Sequence, residues 1–247
     1  MPTTRSRQGL AAVRKLRELV IGGCFKPGER LSELAAVELI GMSRTPVRAA
    51  LQALAHEGLL EARSNGGFVV CDYSLADMLD AIELRGVLEG MAARLAAERS
   101  SGTAATRELH AILAQIDRLL DAAGVEGDDL YDAYVELNET FHAEMLRLAQ
   151  SPMLERSLAQ VTALPFASPS AFVKAGREQE VNRNVLIVAQ YQHRAIAEAI
   201  TAGDGVRALR LGQEHAQTAA DSLKRLSRTG DVGRLVPGST LLRRDTG

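Results

Sequence analysis

"LSELAAVELIGMSRTPVRAALQALAHEGLLEARSNGGFVV", residues 31–70, is the stretch that decides the fold. Ser32 stands where an N-cap belongs and opens a short helix to Ile40. Gly41 and Met42 make a tight turn. Ser43 caps a further helix, with Pro46 tolerated in its first turn. That helix runs to about His56 and stops at Gly58. "LLEAR" and "FVVC" then read as two short strands around Asn65-Gly66, a hairpin signal. Upstream, Leu10, Val13, Leu16 and Val20 recur at helical spacing from about Gln8 to Ile21. "GGCFKPGER" breaks that pattern. Three helices followed by a hairpin describe a winged helix-turn-helix.

The last of these helices has two faces. Val47, Leu51 and Leu54 form one, which can pack on the first two helices. Arg44, Thr45, Arg48 and Gln52 form the other, which is free to enter a major groove, where Arg pairs with guanine and Gln with adenine. Ser43 and Thr45 suit phosphate contacts at the helix N-terminus. The wing residues Asn65, Gly66 and Gly67 allow its backbone to lie close to a groove. The expected partner is a double-stranded DNA operator. Two arginines on a helix also occur as a plain solvated face; the surrounding turn, caps and hairpin weigh against that reading here.

Beyond Ser74 the strand signals vanish. Amphipathic helices are expected at about 74–99, 103–123, 127–150, 152–163, 177–201 and 204–229, with breaks at "RSSGT", "AGVEGD", "QSP", "PFASPS" and "AGDG". Their number and short connections describe an antiparallel α-helical bundle. The chain therefore reads as mainly α: a winged domain over 1–73, a helical domain over 74–229, and an aperiodic tail over 230–247 expected to be mobile.

Composition agrees. Hydrophobic residues make up 46% of the chain but aromatics only 4%, with no Trp, which favours packed helices built from Leu, Ala, Val and Ile. No apolar run is long enough for a membrane span, and the first ten residues lack a secretory pattern. Cys24 and Cys71 form no disulfide framework. A cytoplasmic protein is expected. Residues 1–72 hold 10 Lys/Arg against 7 Asp/Glu, whereas the remainder holds 19 against 24. A basic front on an acidic body points weakly to an anionic partner for the front.

In the bundle, three histidines fall on apolar stripes. His142 shares a face with Asn138, Phe141 and Met145. His193 shares one with Leu186, Ala189, Ile196 and Ile200, and His215 one with Ala208, Leu211, Ala219 and Leu226. His56 and His110 read as surface residues. Each inward imidazole alone is more often a hydrogen-bonded core histidine. Three together need several partners, and one divalent ion would serve all of them; three His and an oxygen ligand suit zinc or another first-row metal. Glu139 is a rival oxygen ligand, but it follows Asp132 and Glu136 on the polar flank. Arg85 is a candidate for pairing with an anionic ligand, or for an i,i+4 ion pair with Glu89.

"PGERLSE", "LIGMSRTPVRAALQALAHEGLL" and "NGGFVV" resemble the DNA-binding domain of GntR-type bacterial repressors over about residues 10–71. That resemblance implies base and phosphate contacts at Ser43, Arg44, Thr45, Arg48 and the wing near Asn65–Gly67. It departs at Leu34, where some members carry a DNA-touching Arg. "ELRGVLEGMAARLAAE", "LNETFHAEML" and "QHRAIAEAITAGDGVRALRLGQEH" are similar to the FCD effector domain found in the fatty-acid-regulator branch, over about 75–225. That similarity implies a metal (zinc or nickel) on the position of Asn138 with His142, His193 and His215. It also implies an effector-facing Arg85, a small carboxylate effector, and a homodimer on a palindromic operator. Metal-binding members carry Asp where this chain has Asn138. The expected function is a ligand-responsive transcriptional regulator, a repressor, and not an enzyme. Two rivals stay open: a metal-dependent hydrolase on a helical bundle, disfavoured by the absence of HExxH and of paired Glu-x-x-His motifs, and a DNA-binding protein whose bundle only dimerises.

Overall fold

The computed structural model describes residues 4–122, 127–171, 183–230, 232, 236 and 238–243. Helix α1 (Thr4–Ile21) leads into strand β1 (Arg30–Leu31), helix α2 (Glu33–Ile40), helix α3 (Arg44–His56) and strands β2 (Leu60–Ala62) and β3 (Phe68–Val70). Ser32 caps α2 by accepting from the Ala35 amide at 3.1 Å, and Gly41 closes it in the left-handed region at φ 68°. Ser43 occupies the N-cap position of α3 with extended backbone, but its hydroxyl makes no capping bond. Leu16, Val20, Val47, Leu51, Leu54 and Leu59 are fully buried between the helices. Each such side chain contributes about 1.5–3 kcal/mol by leaving water.

The wing has three strands where the sequence predicts two. β3 lies in the middle, antiparallel to both neighbours, with Arg30 opposite Val69 and Leu60 opposite Val70. β1 has only two residues, too short for any alternation to register in the sequence. The hairpin turn is also longer than an Asn-Gly pair: the Gly66 amide donates to Arg63 and the Arg63 amide to Gly67. Both Gly66 and Gly67 have positive φ.

The bundle comprises α4 (Leu75–Arg99), α5 (Arg107–Asp121), α6 (Gly127–Ala149), α7 (Pro152–Thr162), α8 (Arg183–Thr201) and α9 (Gly205–Thr229). A 3-10 turn at Pro165–Ala167 follows α7. Ser74 and Asp77 form a reciprocal capping box at the start of α4. The helix expected from residue 103 begins at Arg107, because 103–106 form turns that return a bond from Thr106 to Gly102. The part of the expected 177–201 helix before residue 183 lies outside the described residues. Leu109, Ile116, Tyr134, Phe141, Ile196 and Ile200 fill the centre.

α4 and α9 approach closely, because their contact is built from small residues. A Cβ on Gly90 would lie 2.6 Å from the Leu209 carbonyl oxygen, one on Gly212 would lie 2.9 Å from the Gly90 Cα, and one on Gly86 would lie 2.8 Å from the Ala216 Cβ.

The segment after α9, expected to be mobile, is packed where it is described. Val232 and Val236 are buried with Phe166, Leu223 and Leu226. Leu241 enters the core of the winged domain. Leu242 bridges Tyr73 in parallel, the Thr240 hydroxyl donates to the Ile21 carbonyl at 2.7 Å, and Arg243 pairs with Asp72 at 3.1 Å. Aperiodic sequence suggested mobility, but single apolar residues can be buried without any repeat.

Candidate functional site

The outer face of α3 carries Arg44, Thr45, Arg48 and Gln52, all exposed, with Ser43 exposed at its start. Asn65 and Gly66 are exposed at the wing tip, and Gly67 is half-buried. The opposite face of α3, Val47, Ala50, Leu51 and Leu54, is buried. Arg48 is not free in water. Its Nε donates to Glu33 Oε2 at 2.7 Å and its Nη2 to Oε1 at 3.1 Å. The hydrogen bond from Arg48 holds the Glu33 carboxyl below the usual carboxylate range.

Inside the bundle, α6, α8 and α9 bring His142, His193 and His215 together, with one ring nitrogen from each within 4.8 Å of the others. His193 Nε2 and His215 Nε2 are 3.1 Å apart. The His142 and His215 rings stack with centroids at 5.4 Å, and Phe141 flanks His193 at 4.4 Å. His215 Nδ1 is 2.9 Å from Gln192 Oε1. That oxygen can only accept, so the His215 proton sits on Nδ1 and the Nε2 lone pair points inward. Burial, together with the neighbouring imidazoles, pushes the pKa of His193 well below its ordinary value. Burial, followed by His142, pushes His215 down to about 3. Both are therefore neutral and able to donate a lone pair.

Glu89 on α4 is the residue the sequence reading weighed only as a partner of Arg85. It is 3% exposed, and its Oε1 lies 3.1 Å from His142 Nδ1. Burial alone would raise its pKa, but the charges of His142 and Arg85 outweigh it and hold the carboxyl at about 2. Arg85 Nε stands 3.5 Å from Glu89 Oε2, so the i,i+4 pair is present. Arg85 Nη1 also donates to the Ala167 carbonyl at 3.2 Å and the Ser168 carbonyl at 2.6 Å. Asn138 is buried on the His142 face of α6, and its Nδ2 donates to Ser170 Oγ at 3.2 Å. Two polar atoms of this cluster, His142 Nε2 and His193 Nδ1, are buried with neither a hydrogen bond nor an ion pair, and Arg85 Nε and Glu89 Oε2 have only each other at 3.5 Å. Such atoms cost free energy unless something satisfies them.

A path of contacts leaves this cluster. Arg85 and Asn138 hold the segment around 167–170, which begins at Phe166. The Phe166 ring meets Tyr73 edge-on at 5.2 Å. The Tyr73 hydroxyl donates to the Gly58 carbonyl at 2.6 Å, just past the end of α3. Tyr73, Gln192 and Ser170 were not singled out in the sequence, because a lone polar residue announces nothing until its partner is known. His56 is exposed, and His110 meets the Thr201 hydroxyl at 2.9 Å, away from the cluster. Among the described residues no helix is long and apolar enough to cross a membrane.

The chain is similar to an HTH-type transcriptional regulator of Bacillus subtilis, YdhC, at 28% identity over 61% of this chain and 64% of the relative. It is also similar to the Nta operon transcriptional regulator of Aminobacter aminovorans, at 33% identity over 56% of this chain and 62% of the relative. The matched region thus spans less than two thirds of the length of either. Its fold resembles the solved structure of E. coli McbR/YncC with a TM-score of 0.62, at 22% identity over 92% of this chain and 100% of that one. The profile of bacterial regulatory proteins of the gntR family matches residues 8–70, and that of the FCD domain matches residues 80–218. With a winged head matching one profile and more than half of its length matching the other, the chain belongs to the GntR family of bacterial regulatory proteins that carry a C-terminal FCD domain.

Proposed function

We propose that the chain is a transcriptional regulator, acting as a repressor, whose winged domain binds an operator and whose bundle senses a small carboxylate. On this reading Ser43, Arg44, Thr45, Arg48, Gln52 and the wing tip Asn65–Gly67 meet the DNA, and two copies of the chain occupy a palindromic site. The names of the relatives support regulation rather than enzymatic chemistry. The observation that carries the sensing role is the meeting of three imidazoles in the bundle beside the buried Glu89–Arg85 pair, with His142 Nε2 and His193 Nδ1 left without partners. A fold that brings three imidazoles together and leaves two of their nitrogens unsatisfied is suited to a ligand that satisfies them.

The donor set fits a divalent transition metal, zinc or nickel. Two imidazole nitrogens 3.1 Å apart can share one ion at about 2.1 Å each. Gln192 fixes the His215 tautomer, and Glu89 beside His142 Nδ1 leaves His142 Nε2 as its donor. Asn138 donates to Ser170 through Nδ2, so Oδ1 is the atom it would offer to an ion. When bound, the ion would supply positive charge to which carboxylate oxygens are drawn.

The effect on DNA would travel through the protein's own contacts. A ligand that draws Arg85 or Asn138 towards itself loosens their hold on 167–170. Phe166, Tyr73 and the carbonyl of Gly58 then lose their fixed backing behind α3. This is a physical coupling only if that segment has two arrangements which ligand and DNA bias differently.

The test is thermal shift of full-length protein, metal-loaded and chelator-stripped, against a panel of mono-, di- and tricarboxylates. A shift confined to the loaded form is expected. No shift with any acid, in a protein that still selects a DNA sequence, would leave the bundle as a dimerisation module only.

A further inference from the structure

We propose that Glu33 is a positioning residue for DNA reading: it holds the Arg48 guanidinium in the orientation that meets a base. The inference rests on the assignment of α3 as the reading helix.

Glu33 is the first residue of α2, beside the Ser32 cap, where the helix N-terminus favours a carboxylate. Arg48 lies on the open face of α3. The two are fifteen residues apart and joined through both oxygens, at 2.7 and 3.1 Å. Their side chains are 64% and 27% exposed, so water and salt weaken the attraction, and such a pair adds little to stability. Its larger effect is geometric. A guanidinium has five N–H groups in a fixed plane. The carboxylate takes Nε–H and one Nη2–H, along one edge. The remaining Nη2–H and the two on Nη1 lie along the edges turned away from Glu33. Those are the donors that a guanine O6/N7 pair accepts.

An arginine otherwise samples many rotamers, and each must be given up on binding. Clamping it beforehand reduces that loss for the base that matches the clamped plane. A carboxylate on the reading face also repels phosphates, which weakens binding to every sequence alike. Glu33 therefore has a dual effect: it strengthens discrimination and lowers sequence-independent affinity.

The experiment uses full-length protein and the duplex that the wild type enriches from a random-sequence library, with an unrelated duplex of equal length as reference, at fixed salt. Glu33→Gln and Glu33→Ala are expected to bind the unrelated duplex more tightly, while the ratio of specific to non-specific affinity falls roughly three- to tenfold, a part of what one bidentate base contact supplies. The loss should fall on the base pair whose preference Arg48→Ala abolishes. Arg48→Ala should also lose less in the Glu33→Gln background than in the wild type. Thermal melting of each variant separates these changes from a folding defect. Tighter binding to the selected duplex with an undiminished ratio would overturn the proposal, because Glu33 would then be sequestering Arg48 rather than aiming it. A wild type that enriches no sequence, or an Arg48→Ala variant with unchanged base preferences, overturns the reading of α3 itself and the inference with it.

Discussion

The winged domain and the bundle handle polar side chains in opposite ways. On α3, Arg44, Thr45 and Gln52 are exposed, as is Arg48 beyond its pair with Glu33, and water meets any hydrogen bond the protein leaves open. In the bundle, Glu89, His142 and His193 are shut away, and His142 Nε2 and His193 Nδ1 are unmet. A solvated polar face costs nothing to keep, so its role has to be argued from shape: a capped helix raised from a small domain beside a wing. A buried unpartnered group has a free-energy cost, so it calls for something to satisfy it. The winged domain is thus recognised by its outline and the histidine cluster by its deficits.

The contrast is open to attack at several points. The largest effect is expected from His193→Ala, which removes a donor that faces His215 across 3.1 Å. Metal affinity, titrated into stripped protein, should fall by about a hundredfold or more. DNA affinity of the stripped variant should match that of stripped wild type. Full metal occupancy in the variant would take His193 out of the site and leave the pocket's deficits unexplained.

Next in size is Gly90→Ala. The added methyl would sit 2.6 Å from the Leu209 carbonyl oxygen, so α9 must move away from α4. Destabilisation of about 1–3 kcal/mol in chemical denaturation is expected. Because α9 carries His215, metal binding should weaken as well. An unchanged denaturation midpoint would mean that the close approach of these helices does not hold the cluster together.

Arg48→Ala tests the other half of the comparison. If the arginine meets a base through two hydrogen bonds, operator affinity falls by roughly 1–3 kcal/mol and preference relaxes at one base pair. Stability should barely change, since the side chain is solvated and its pair with Glu33 is exposed. A uniform loss over all sequences, with a shallower salt dependence, would make Arg48 a phosphate contact instead.

The smallest change probes the route between the regions. Tyr73→Phe deletes the hydroxyl that donates to Gly58 at 2.6 Å and keeps the ring against Phe166. Stability should drop by about 1 kcal/mol. The informative reading is the ratio of DNA affinities with and without the effector, which should move towards one while effector affinity for the free protein is kept. An unaltered ratio would send the coupling through another path, for which the packed segment around Leu241 and Leu242 is the next candidate.

What the sequence determined by itself was whatever repeats or punctuates locally. The cap at Ser32, breaks at Gly41 and Gly58, and stripes of Leu and Val at helical spacing mark the helices, since backbone bonding is local and amphipathic faces follow a period. The three inward histidines were legible for the same reason: each breaks an apolar stripe on its own helix. Tertiary structure alone decided everything that depends on which helix meets which. The glycines at 86, 90 and 212 look like weak points in helices until α9 is laid against α4. Glu89 reads only as the i,i+4 partner of Arg85 until the fold also sets it beside His142. Asn138 has no visible partner until Ser170 is set beside its amide nitrogen. The tail reads as loose until Leu241 enters the winged core. In each case the residue's energy is set by a neighbour far away in sequence, and no pattern along the chain encodes that neighbour's position.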